Sequence, residues 1–179
     1  MFLIVEYEPG HYVPAHAGNF GGSGVEPPLD GRCNATALRR ASRYVTAIYD
    51  QALIPSGIRV SQFAILYQLF RHGAQPVGQL ADIMAMDRST LSTNLRLLER
   101  DGLVKKAEVK DRRQRASQIT NEGIKRFEVA LPLWERIQAD FEGRFGQERS
   151  GTLRHELKEV LNTGFLPWAE NIQTCQSHQ

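Results

Sequence analysis

QPVGQLADIMAMDRSTLSTNLRLLERDGLVKKAEVKDRRQRASQITNEG, residues 75–123, is the stretch whose reading decides the fold. It scans as a short helix, a tight turn, a second helix, and a two-stranded hairpin with a basic tip. Leu91, Leu95 and Leu98 recur at helical spacing, so Arg88, Ser89, Thr90, Ser92, Thr93 and Arg96 fall on the opposite face. Asp87 stands where a helix N-cap is expected, and Gly102 where a helix stops. LVKKAEV and ASQIT are β-compatible runs on either side of KDRRQR. A helix of that size fits a DNA major groove, and a cationic ribbon beside it fits the phosphate backbone.

Charge supports the same segment. Between Arg88 and Arg115, nine Lys or Arg residues face four Asp or Glu, whereas beyond Asn121 nine acids face seven bases. The basic excess therefore sits on the proposed reader, as a phosphate-binding surface requires, although a solvated face without a partner carries the same charge. A chain of 179 residues is expected to be one domain, or a compact domain with added helices, and its 41% hydrophobic content excludes wholesale disorder. No apolar run reaches the roughly 18 residues of a membrane span, so no membrane partner is expected. MFLIVEY at the start lacks the basic flank of a secretory signal. Two cysteines, Cys33 and Cys175, make no disulfide framework, and the default compartment is a reducing cytoplasm. His11, His16, His72, His155 and His178 have no ligand spacing, so neither a metal nor a cofactor is expected. No nucleophile–base spacing or phosphate-cradling glycine loop is visible, which argues against an enzyme.

Outward from the reader, residues 1–32 are rich in Gly and Pro and read as a flexible arm, with a short strand at Phe2–Tyr7. A helix is expected over 34–52, capped by Asn34 and packed through Leu38, Ala41, Val45, Ile48 and Ala52, with Pro55 and Gly57 ending it. Ser61 is expected to cap a second helix carrying Phe63, Leu66 and Phe70, widened by Ile65 and Leu69 and stopped by Gly73. A short helix over 78–84 packs through Leu80, Ala81 and Ile83. After the hairpin, Ile124, Phe127, Leu131, Trp134, Ile137, Phe141 and Phe145 predict a long helix over 121–145, bent at Pro132. A last helix over 148–161 carries Leu153, Leu157, Val160 and Leu161. So small a reader cannot cover all these stripes, and the terminal helices are expected to form a dimer interface. The fold class expected is mainly α with a small β-wing. The expected organisation is an arm (1–32), an N-terminal dimerisation helix and connection (33–60), a winged helix-turn-helix (61–120), and C-terminal dimerisation helices and tail (121–179).

DRSTLS (Asp87–Ser92), LERDGLV (Leu98–Val104), DRRQRASQIT (Asp111–Thr120) and Gly123 together resemble the MarR family of winged helix-turn-helix regulators; ALRRASRYV and LPLWE extend the likeness more loosely over 33–161. The resemblance implies a homodimer on a pseudo-palindromic double-stranded operator, with half-sites about one helical turn apart. It implies that Arg88, Ser89, Thr90, Ser92, Thr93 and Arg96 meet the major groove. A plainer reading of the hydroxyl cluster is helix capping and solvent exposure. Asp111 is expected to steady the wing turn while Arg113 enters a minor groove, and Arg112, Arg115, Lys105, Lys106 and Lys110 neighbour phosphates. Many relatives carry an arginine where Thr93 stands, so sequence preference here is expected to differ.

Relatives often bind small aromatic or anionic effectors. Arg43, Tyr44 and Tyr67 are the candidates here; Tyr49, Phe63, Arg39 and Arg40 lie on the same elements, and for each of these residues packing or surface is the plainer reading. Some relatives sense oxidants through a cysteine, which makes Cys33, with or without Cys175 of a second chain, a candidate beside the plainer reading of an inert thiol. The function expected is a cytoplasmic, ligand-responsive transcriptional regulator, a repressor. The alternatives are a redox-sensing repressor using Cys33 and a winged-helix protein-interaction module.

Overall fold

The computed structural model describes residues 33–107 and 115–165. The arm with its Phe2–Tyr7 strand, the wing tip carrying Lys110, Asp111, Arg112 and Arg113, and Cys175 lie outside the described residues. The chain divides into two units, Met1–Arg40 and Ala41–Gln179. In chain order the elements are α1 (Asn34–Leu53), a 3-10 turn (Ile54–Ser56), α2 (Val60–His72), β1 (Gln75–Pro76), α3 (Val77–Ile83), α4 (Arg88–Arg100), β2 (Val104–Ala107), β3 (Ala116–Ile119), α5 (Asn121–Phe145) and α6 (Gln147–Leu161). This is the mainly α fold with a small β-wing that the sequence predicts.

The core belongs to the second unit. Leu53, Ile65, Leu66, Leu69, Leu80, Leu91 and Leu98 are fully buried, joined by Phe63, Leu103, Val104, Phe127 and Ala130. Each such aliphatic side chain contributes about 1.5–3 kcal/mol by leaving water. Phe63 stacks on Phe127 and Trp134 at ring separations of 5.2 and 5.7 Å, tying α2 to α5. Arg126 on α5 donates to the Ser56 carbonyl at 3.1 Å, where Gly57 turns the chain with φ of 72°.

Several expectations are corrected. Asn34 is itself helical, and the Cys33 carbonyl accepts the first helical bond, from Ala37. The buried residues of α1 are Tyr49 and Leu53, one position beyond Ile48 and Ala52, because the Tyr49 hydroxyl reaches Gln138 at 2.6 Å. Ser61 lies inside α2; its first amides are met instead by Asp50, which accepts from Val60 N–H at 2.8 Å, and by Gln62, which accepts from Arg59 N–H at 2.9 Å. Phe70 and Ile83 are exposed rather than inward. Phe70 covers Phe127 from outside at 5.0 Å, and Ile83 is the last residue of a helix too short to turn it inward. The hairpin is a three-stranded antiparallel sheet in the order β1-β3-β2, with Gln75 opposite Ser117 and Pro76 opposite Ala116. Proline is tolerated there because β1 is an edge strand. The helix over Asn121–Phe145 forms with Pro132 inside it.

Two backbone positions fix the reader. Ala85, in the turn between α3 and α4, has φ of 48°, while Ala85 and Met86 N–H close the end of α3 onto Asp82 and Ala81. A left-handed alanine costs about 1 kcal/mol. Gly123, in the first turn of α5, sits so close to the chain that an added Cβ would lie 2.1 Å from the carbonyl oxygen of Leu103, just before β2, and 2.7 Å from Ile119 Cγ1 of β3. Gly123→Ala is therefore expected to destabilise the protein by about 3 kcal/mol, whereas Ala85→Gly raises stability by up to about 1 kcal/mol. Urea titration of the two variants against the parent checks both signs.

Candidate nucleic-acid interface

Helix α4 begins at a cap that does more than stop fraying. Asp87 is extended (φ −65°, ψ 151°), and its carboxylate accepts from Thr90 N–H at 2.8 Å. It also accepts from the Ser89 and Thr90 hydroxyls. These hydrogen bonds, the Ser89 hydroxyl first, hold the Asp87 carboxyl well below the usual carboxylate range. With Leu91, Leu95 and Leu98 buried, Arg88, Ser89, Thr90, Ser92, Thr93 and Arg96 are all exposed. Thr93 donates its hydroxyl proton to the Ser89 carbonyl at 3.0 Å and accepts from Arg96 at 3.3 Å, so one threonine braces the arginine a turn further on.

The sheet closes a cleft against this face. Ser92, Arg96 and Glu99 line it from α4, Lys106 and Ser117 from β2 and β3, and Arg115 from just before β3. An adjoining hollow brings Arg88 and Arg115 together across Gly78 and Asp82. Val77 N–H donates to the Arg115 carbonyl at 2.9 Å, which holds the start of α3 against the root of the wing. Arg88, Ser92, Arg96, Lys106 and Arg115 thus converge, a concentration of donors suited to phosphate and guanine edges. Lys105 differs. It pairs with Gln118, whereas Lys106 pairs with Ser117, so strand alternation puts the two lysines on opposite sheet faces. Sequence reading gave Glu99 no role, yet it contributes a carboxylate to this cationic cleft. Asp87 was legible only as a cap, although Ser and Thr two and three residues after an aspartate are positioned to donate to it.

The effector candidates fall in two places. Arg43 lines a shallow cleft with Thr46, Asp50, Ile54 and Arg59, and Tyr44 is 68% exposed. Tyr67 lies elsewhere, its ring 6.3 Å from Phe127 among the aromatics of α2 and α5. Tyr49 and Phe63 are buried, whereas Arg39 and Arg40 are exposed. Cys33 is part-exposed, and hydrogen bonding with the Thr36 side chain lowers its thiol pKa. No helix among the described residues is long and apolar enough to cross a membrane.

Two helices and a wing arranged in this way define a winged helix-turn-helix. The sequence profile of the MarR family matches residues 56–114. The transcriptional regulator MosR of M. tuberculosis, solved in complex with DNA, is 30% identical over 73% of this chain and 94% of its own, with a TM-score of 0.65. The transcriptional regulator MhqR of Bacillus subtilis is 31% identical over 88 residues, 49% of this chain and 61% of its own. CouR of Rhodococcus jostii RHA1, solved with p-coumaroyl-CoA, shares the fold at 20% identity and a TM-score of 0.63, covering 74% of this chain and 94% of its own. The chain belongs to the MarR family of winged-helix, DNA-binding transcriptional regulators.

Because Asp87 is held charged when folded, its stabilising contribution is complete above the ordinary aspartate range near about 4. It is lost as the pH falls through that range toward the lowered folded-state value. The difference in unfolding midpoint between the parent and Asp87→Asn should therefore stay constant from pH 6 to about pH 5 and shrink progressively below that, toward about pH 3. Midpoints that run parallel across this range would take Asp87 out of the acid response.

Proposed function

We propose that this regulator is a cytoplasmic homodimeric repressor that reads a pseudo-palindromic operator and releases it when a small aromatic or anionic effector binds. The observation that carries the DNA-reading part is the convergence of Ser92, Arg96, Lys106 and Arg115 on one cleft between α4 and the wing, with Arg88 in the adjoining hollow. In this reading the first two turns of α4, with Ser89, Thr90 and Thr93, enter the major groove. Arg113, steadied by Asp111, enters the neighbouring minor groove, and Arg112 and Lys105 flank it on the phosphates. Residues 61–120 then act as the reader, and 33–60 with 121–179 as the dimerisation helices.

The dimer part is supported by α6. Its apolar residues Leu153, Leu157, Val160 and Leu161 are all exposed in the protomer, and its one buried residue is Ser150. Four apolar side chains on one helix, facing water, are the pattern of a surface that a second copy covers. The effector would bias one spacing of the two readers over another, with Arg43, Tyr44 and Tyr67 as its contacts. The bound p-coumaroyl-CoA of CouR supports an aromatic ligand class. A redox version, with oxidation of Cys33 releasing the operator, is favoured by the lowered thiol pKa; Cys175 of the second chain would be its partner.

Duplex selection from a random pool, followed by binding at several salt concentrations, tests the whole reading. A palindrome and a steep salt dependence are expected; a salt-independent, sequence-blind chain would be a protein-interaction module instead. Arg96→Ala and Arg113→Ala should each weaken operator binding about tenfold or more at fixed salt without moving the melting midpoint. Lys106→Ala should flatten the salt slope by about 0.9 for each phosphate that the lysine neutralises, and Lys105→Ala by less. Leu153→Glu with Leu157→Glu should leave a monomer by sedimentation; an intact dimer would move the interface away from α6.

A further inference from the structure

The hydrogen-bond directions at the tip of α4 assign a chemical preference to what it reads. A carboxylate has no proton to give, so the Ser89 and Thr90 hydroxyl protons both point at Asp87. The Thr93 proton points at the Ser89 carbonyl. All three hydroxyl protons are therefore committed within the helix end; Thr93 also accepts from Arg96, so Ser89 and Thr90 are the two whose oxygens are left to offer lone pairs to a groove. Asp87 also occupies the Thr90 amide and brings a negative charge, so this helix end is unsuited to a phosphate. In the major groove the hydrogen-bond donors are the amino groups of cytosine and adenine; guanine and thymine offer acceptors at the corresponding edge.

Resting on the DNA-reading function above, we propose that Asp87 is a specificity-positioning residue. By drawing the Ser89 and Thr90 protons onto its carboxylate, it makes the tip of α4 an acceptor that selects amino-bearing bases. Arg88 and Arg96 supply the donors for guanine on either side. The tip and its flanks thus ask opposite questions of the groove.

The test uses the full chain and the duplex recovered by selection. Each adenine or cytosine of a half-site is replaced in turn by N6-methyladenine or N4-methylcytosine, which keeps base pairing and removes the groove-facing N–H. At one or two positions per half-site, affinity should fall about five- to tenfold. With Asp87→Asn the penalty at those positions should shrink to about twofold or less. Its carboxamide oxygen still caps Thr90, but its N–H group meets a hydroxyl lone pair and frees that proton to face the groove. Ser89→Ala should abolish the penalty at one position only, which keeps the test open if Asp87→Asn folds poorly. Specific binding of the unmodified duplex with no methylated position mattering more than twofold would overturn the inference while leaving the DNA-reading function intact. So would an undiminished penalty in Asp87→Asn. A parent protein without sequence preference would overturn both.

Discussion

The position of the reader depends on one close approach, that of Gly123 to Leu103. Helix α4 ends where Gly102 takes a left-handed turn, and Leu103 N–H folds back onto the Leu98 carbonyl at 2.9 Å. The Leu103 carbonyl then accepts from Thr120 N–H at 3.0 Å, while the Thr120 hydroxyl donates to Gly102 and accepts from Gly123 N–H. The end of α4, the start of β2, the end of β3 and the start of α5 thus meet within a few bonds. An added Cβ at Gly123 would collide with the Leu103 carbonyl and with Ile119, so the first turn of α5 packs directly on the chain at this joint with no side chain between.

Around that joint the polar groups are used with little redundancy. On α4 the acid comes first and sets the direction of the hydroxyls behind it; Thr93 then orients Arg96. At the other end of α5 a second relay runs from Tyr49 through Gln138 and Glu142 to Arg154, at 2.6, 2.8 and 2.8 Å. It links α1, α5 and α6. The Gln138 and Arg154 hydrogen bonds keep Glu142 ionised, while burial and the nearby Glu142 charge push the Tyr49 phenol upward. The relay fixes α6 by polar contacts, which leaves the helix's apolar residues turned outward.

Much of this was legible in residue order. The α5 bounds, the α4 leucine stripe and the Asp87 cap follow from helical spacing and local hydrogen bonding, which act within a few residues. Elements whose reason lies far along the chain were misread. Strand β1 is only two residues long and contains a proline, so it has no alternation to detect; it exists because β3 offers an open edge. Ser61 looked like a cap because nothing local reveals that Asp50 reaches Val60 from ten residues upstream. Tyr49 is buried and Ile48 only half-buried, and the Tyr49 hydroxyl's partner lies 89 residues away.

Sequence by itself determined the winged helix-turn-helix, its helix periods, the concentration of basic residues, and the glycine at position 123. These are properties of neighbours along the chain or of a motif read whole. Tertiary structure alone decided which cations share a cleft, that Lys105 and Lys106 part company, and which way the α4 hydroxyls point. Those outcomes depend on strand register and on acceptor geometry in space, and neither can be read from the order of residues.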